Sequence, residues 1–139
     1  MNPDESYGRH SKTYEDIHLD ESIVERQATF LDCRTVDDWR ELRFLSCLDP
    51  LLESFPRSSW LTVPDGCFGS AARYITKQGA FALPTDIDLT ALAVAKKRSL
   101  INSDQYANAE HLPFDDGAFD FCFCKEAYHH LFSPGLGFL

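Results

Sequence analysis

The sequence predicts an α/β fold in which a parallel sheet of about four strands is preceded by a helical segment. Three observations lead there. Short apolar runs at Trp60–Val63, Ala80–Thr85 and Phe119–Cys124 alternate with stretches of helical period. Each run empties into polar turn residues: Pro64-Asp65-Gly66 after the first, Asp86-Ile87-Asp88 after the second, Lys125-Glu126 after the last. The last run, FDFCFC, is almost wholly apolar, which is the pattern of a strand covered on both faces.

Taken in order, Met1 to about Asp20 is polar and without usable period, and reads as a mobile arm. Ile23, Ala28, Phe30 and Leu31 form a weak helical stripe. A second helix is better marked: Thr35 with Asp38 three residues on resembles a capping box. Trp39, Leu42, Leu45, Cys47, Leu48, Leu51 and Leu52 then keep near-helical spacing. Asp49-Pro50 should kink or restart it, because Pro50 lacks an amide donor. Phe55–Ser59 is a linker. After the first strand, Ser70–Gln78 reads as a helix closed by Gly79 in a left-handed stop. After the second, Asp88 or Thr90 can cap ALAVAKKRSL, whose Lys96, Lys97 and Arg98 fall where the helix dipole favours cations. A short third strand is expected at Gln105–Ala107. Asp115-Asp116-Gly117 reads as a tight turn feeding the fourth strand, and Asp120 as a structural hydrogen-bonding group. The natural division is 1–58, arm and helical segment, and 59–139, the sheet-bearing domain.

Composition narrows the function. The chain has 139 residues, 22 Asp+Glu against 13 Lys+Arg, and a formal net charge of -9. That balance argues against nucleic acid, whose phosphates call for clustered Lys and Arg, and against a basic membrane-surface face. No run approaches the ~18 uninterrupted apolar residues of a spanning helix, and the N-terminus lacks the apolar centre of a signal peptide. The five cysteines are scattered, with no C-x-x-C pair, which suits a reducing, cytoplasmic setting and offers no metal site. Cys122, Cys124, His129 and His130 carry no established metal-ligand spacing, and no metal site is expected among them.

In a parallel sheet ligands sit outside the carboxyl ends of the strands. Right-handed crossovers bring Pro64–Gly69, Asp86–Asp88, Asn108–Glu110 and Lys125–Glu126 onto that one rim. The four segments WLTVPDGCFGSAARYI, TDIDLTALAVAKKR, NAEHLPFDDGAFDF and FCKEAYHHL together resemble a class I S-adenosylmethionine-dependent methyltransferase, of the type whose third motif reads Asp-Ala-Glu, Leu-Pro-Phe, an acidic turn and Phe-Asp. The resemblance spans about residues 59–132. It implies a Rossmann-like methyltransferase fold, S-adenosylmethionine as cofactor and a small-molecule acceptor, since no Asn-Pro-Pro-aromatic motif follows the fourth strand.

It also implies a set of cofactor-binding residues: Asp65, Gly66 and Gly69 in the first loop, Asp86 for the ribose hydroxyls, and Asn108, Ala109 and Glu110 beside the adenine. Asn108 stands where the family has Asp and could offer its carbonyl oxygen to the adenine amino group. Each has a structural alternative: the glycines as an ordinary strand-to-helix turn, Asp86 as a helix cap, Asn108 as a turn residue. Among Lys125, Glu126, His129 and His130, His129 is the candidate general base, against the alternative of a helix start with one His capping and one packing.

The departures from the family pattern are equally specific. The family's first motif runs from an acid into Gly-x-Gly-x-Gly. Here Thr62 stands at the acid and Pro64 at the first glycine, leaving Asp65 as the nearby carboxylate. Pro84 should remove a ladder bond from a central strand. The chain finishes soon after the fourth strand, so the expectation is a domain truncated there, with an incomplete sheet. Its uncovered edge would invite a protein partner or self-association. The alternative to an active enzyme is a catalytically inactive remnant or interaction module that keeps the fold. A nicotinamide enzyme is disfavoured by the lack of G-x-G-x-x-G.

Overall fold

A computed structural model describes residues 19–133 continuously, with Glu5, Gly8, Arg9, Lys12, Ile17 and Gly135 besides. The expected arm, Met1 to about Asp20, lies largely outside the described residues. Helices α1 (Glu21–Ala28), α2 (Val36–Leu45) and α3 (Asp49–Ser54) come first. Then β1 (Ser59–Thr62), α4 (Ser70–Lys77), β2 (Phe81–Asp86), α5 (Thr90–Lys97), β3 (Gln105–Tyr106) and β4 (Phe121–Phe123) alternate. The strands form one parallel sheet in the order β3-β2-β1-β4. This is the α/β, Rossmann-like arrangement that the sequence predicts. Among the described residues no helix is long and apolar enough to cross a membrane.

Local signals account for the boundaries. Asp20 caps α1 by accepting from the Ser22 and Ile23 N–H groups. Thr35 and Asp38 close a reciprocal capping box on α2: the Thr35 hydroxyl accepts from Asp38 N–H at 3.1 Å and Asp38 accepts from Thr35 N–H at 2.9 Å. Pro50 restarts the chain as α3 after a 3-10 turn at Ser46–Leu48. Gly79 stops α4 at φ +94°. Asp88 accepts from Thr90 N–H at 2.9 Å, just ahead of α5. The Asp115–Gly117 turn closes through Ala118 N–H to Asp115 O, and Asp120 accepts from both the N–H and the hydroxyl of Ser59, tying β4 to β1.

Two expectations are corrected by packing. β4 is an edge strand, as a sheet ending there implies, and with Cys122 exposed and Phe121 and Phe123 half-buried its apolar run is not covered on both faces. Phe121 nevertheless stacks on buried Trp60 at 4.4 Å between ring centroids. Pro84 takes nothing from the β1–β2 ladder. The Thr85 carbonyl faces β1, accepting from Asp65 N–H, whereas the Asp86 carbonyl faces β3, accepting from Ala107 N–H. Alternation puts the missing N–H of Pro84 on the β3 side, ahead of Gln105 where β3 begins. Over α2, the 3-10 turn and α3, Leu45, Leu48 and Leu52 are buried, but Trp39 and Leu51 are exposed, so the buried stripe is narrower than its spacing suggests.

The helical segment and the sheet share one core: Phe30, Leu45, Leu48 and Leu52 pack with Trp60, Ala72, Tyr74 and Ile75. Arg73 anchors α1 against α4. Its guanidinium donates to the carbonyls of Gln27 (2.7 Å) and Ala28 (2.8 Å), which lack partners at the end of α1, and lies 4.8 Å over the Phe30 ring. Replacing Arg73 with Ala should therefore destabilise the protein by about 2–4 kcal/mol in urea unfolding. Arg73→Lys, with no planar fork to reach both carbonyls, should recover less than half of that loss.

Candidate functional site

The loop after β1 is built by one carboxylate. Asp65 is 5% exposed. It accepts from Ala71 N–H (3.2 Å), Ala72 N–H (2.9 Å) and the Thr62 hydroxyl (2.8 Å). Two of the first-turn amides of α4 thus find an acceptor at the positive end of the helix, and Thr62 links that acceptor to the strand. The family pattern puts an acid at Thr62. Here the acid sits three residues later and Thr62 serves it.

The two loop glycines have reasons within the protein. A Cβ on Gly66 would lie 2.6 Å from Asp86 Oδ2, so the bare backbone leaves room for that carboxylate. Gly69, at φ +67°, is the N-cap of α4, and a Cβ there would meet Ile101 Cγ2 at 2.9 Å. Gly69 faces the small core around Leu92 and Ile101, away from the strand ends.

Outside the carboxyl ends of the strands lies a cavity of about 380 Å³, within the size range of ligand pockets. Pro64, Asp65, Gly66, Cys67 and Phe68 form its floor, and Asp86, Asp88, Lys125 and His130 one side. A narrower recess of about 60 Å³ holds Asn108, Ala109 and Ala107 and shares Pro64, Asp86, Ala127 and His130 with the first. The two form a single groove with Asp86 at its middle. A larger cavity, about 580 Å³, lies between α4 and Ser99–Ser103, and none of the site residues expected from the sequence lines it.

Of those expected residues, the groove brings together Asp65, Gly66, Asp86, Asn108 and Ala109. Asp86 is 8% exposed, and its Oδ1 accepts from Asp88 N–H at 2.9 Å. Asn108 Oδ1 accepts from Glu110 N–H at 2.9 Å in an Asx turn, so part of the acceptor capacity expected to face outward is used by the chain itself. Glu110 is buried beside this turn and holds Ser133 N–H. It lines the groove at neither end. His129 is exposed and also lines neither part, whereas His130, in the 3-10 turn Tyr128–His130, lines both.

Residues with no functional role in the sequence reading also line the site. Ile23, Arg26 and Gln27 of α1 contribute to the wall of the larger cavity. Their i, i+3, i+4 spacing puts them on one helix face, which is the signal that could have found them. Glu41 of α2 pairs through both carboxylate oxygens with Lys125 and also accepts from the Ser70 hydroxyl at 3.1 Å. No local pattern marks that contact, whose partners are distant in sequence.

A parallel sheet in the order β3-β2-β1-β4, with an acid at the end of β2 and a glycine-bearing loop after β1, is consistent with the Rossmann-like fold of class I methyltransferases. A methyltransferase-domain family profile matches residues 65–136, more than half of the chain, and the protein belongs to this class I S-adenosylmethionine-dependent methyltransferase family. No curated protein and no solved structure matches the chain.

Burial pushes the Asp65 carboxyl up to about 6, against the opposing pull of Ala72 N–H, the Thr62 hydroxyl, Ala71 N–H and the Lys125 charge. The folded protein then binds this proton more tightly than the unfolded chain, whose carboxyl titrates near 3.8. Between about pH 7 and pH 4 folding takes up a proton, so this group's contribution to stability rises as pH falls through that window. Relative to Asp65→Asn, the wild-type unfolding free energy should gain up to about 3 kcal/mol from pH 7 to pH 4. A pH-independent difference in urea titrations would show that the carboxyl is not raised.

Proposed function

We propose that the chain binds S-adenosylmethionine in this groove and transfers its methyl group to a small-molecule acceptor. The observation that carries the reading is the contact of Gly66 with Asp86: a backbone without a Cβ makes room for a nearly buried carboxylate at the end of β2. A carboxylate held there is suited to accept from both hydroxyls of a ribose. Asn108 and Ala109 then bracket the adenine recess, and the Asn108 amide group supplies a donor at its edge. The acid-rich wall suits a cationic cofactor.

When bound, this cofactor supplies an already activated methyl group, so the protein has mainly to align, exclude water and manage one proton. Lys125, held by Glu41 and lying 5.7 Å from the Phe44 ring centroid, keeps the α2 side closed over the loop. Of the two histidines, His130 lines the groove and is the better-placed candidate for taking the acceptor's proton, a role first considered for His129. The cytoplasm remains the proposed compartment.

A second reading, a module that keeps the fold without turnover, draws on the narrowness of the adenine recess at about 60 Å³. Calorimetric titration with S-adenosylmethionine separates the two. Saturable binding that Asp86→Ala weakens at least about 10-fold supports the cofactor reading, since a charge-assisted bond to the ribose is lost. Gly66→Ala should weaken binding as well, by displacing Asp86. A folded wild-type protein that takes up no cofactor favours the inert module.

A further inference from the structure

We infer that Arg26, on α1 and outside the matched methyltransferase domain, is the recognition residue for the α-carboxylate of the cofactor's amino-acid moiety. The inference rests on the cofactor reading above and concerns the one part of that ligand that the strand ends leave unassigned. The two parts of the groove share Pro64, Asp86, Ala127 and His130. Asn108 and Ala109 lie in the recess at one end, Asp86 lines both parts, and α1 walls the other end with Ile23, Arg26 and Gln27. A ligand with adenine in the recess and ribose hydroxyls at Asp86 extends its third part toward α1.

That third part carries a carboxylate, which calls for a cation. Among the described residues, the Lys and Arg side chains that line the larger part of the groove are Lys125 and Arg26. Lys125 is already neutralised by both oxygens of Glu41, with Glu126 a further 3.9 Å away. Arg26 has no ion-pair partner among the described residues, although Glu21 and Glu25 on its own helix are both engaged by Arg98. Its positive charge is felt at Cys67, in the loop that floors the cavity. A guanidinium there offers a planar fork suited to a carboxylate. Helix α1 is itself fixed to α4 by Arg73, so Arg26 is presented from a braced element.

The bland role for Arg26 is a cation in the last turn of α1, complementing the helix dipole. The two roles separate by ligand. Full-chain wild type, Arg26→Gln and Arg26→Lys would be titrated calorimetrically with S-adenosylmethionine and with its decarboxylated analogue, which keeps adenine, ribose and sulfonium. Wild type should prefer the carboxylate-bearing ligand by roughly 10-fold, Arg26→Gln should abolish the preference by weakening that ligand alone, and Arg26→Lys should keep part of it. A preference that survives in Arg26→Gln, or equal weakening of both ligands, overturns the assignment. Wild type that binds both ligands equally overturns it too and leaves the cofactor reading standing. Wild type that binds neither overturns both.

Discussion

The turn from β1 into α4 is held by a single buried carboxylate. Asp65 satisfies the Ala71 and Ala72 amides and the Thr62 hydroxyl at once, and its own N–H donates to the Thr85 carbonyl of β2. Strand, helix and neighbouring strand are therefore joined at one residue. Burying a carboxylate is costly, and the three donors offset that cost only while the loop keeps this shape. Gly66 follows immediately, and so its approach to Asp86 is set by how Asp65 is held. The floor of the groove and the position of the proposed ribose acceptor thus depend on the same group.

This arrangement changes what the loop glycines mean. Gly69 adopts a left-handed conformation over Leu92 and Ile101 because the start of α4 must pass close to the core beneath α5. Gly66 makes room for a side chain of the protein. Neither requires a ligand to explain it, yet together they bring the β1 and β2 ends close enough to share a groove. Pro64, at first sight a poor substitute for glycine, lines both parts of that groove. Its missing donor plays no part at the head of α4, where the donors are the Ala71 and Ala72 N–H groups and Asp65 is their acceptor.

The fold was legible because its signals are local. Capping at Thr35 and Asp38, the restart at Pro50, the stop at Gly79 and the Asp115–Gly117 turn each depend on residues close in sequence. Asp86 and Asn108, singled out by motif resemblance, both line the groove, and the rim follows from parallel topology. Contacts between distant segments were not legible: the Glu41–Lys125 pair and the grip of Arg73 on the end of α1 carry no periodic trace. His129 and His130 are adjacent in a 3-10 turn, where neighbouring residues point in different directions, and sequence alone does not say that His130 is the one lining the groove. For β4, composition suggested full burial, but position in the sheet governs exposure, and an edge strand is covered on fewer sides.

The matched methyltransferase domain starts at residue 65, but the groove does not. Thr62, from β1, completes the hydrogen bonding of the loop. Glu41, from α2, neutralises Lys125 beyond β4. Ile23, Arg26 and Gln27, from α1, make the far wall. Because Phe30, Leu45, Leu48 and Leu52 share a core with Trp60 and Ile75, these contributions are coupled to the stability of the sheet. The segment thus supplies both core and wall, its buried positions holding the groove-lining ones in place. Selectivity for the part of a ligand that extends past the strand ends would therefore reside in the helices that precede the sheet, with the strand ends reading the nucleoside.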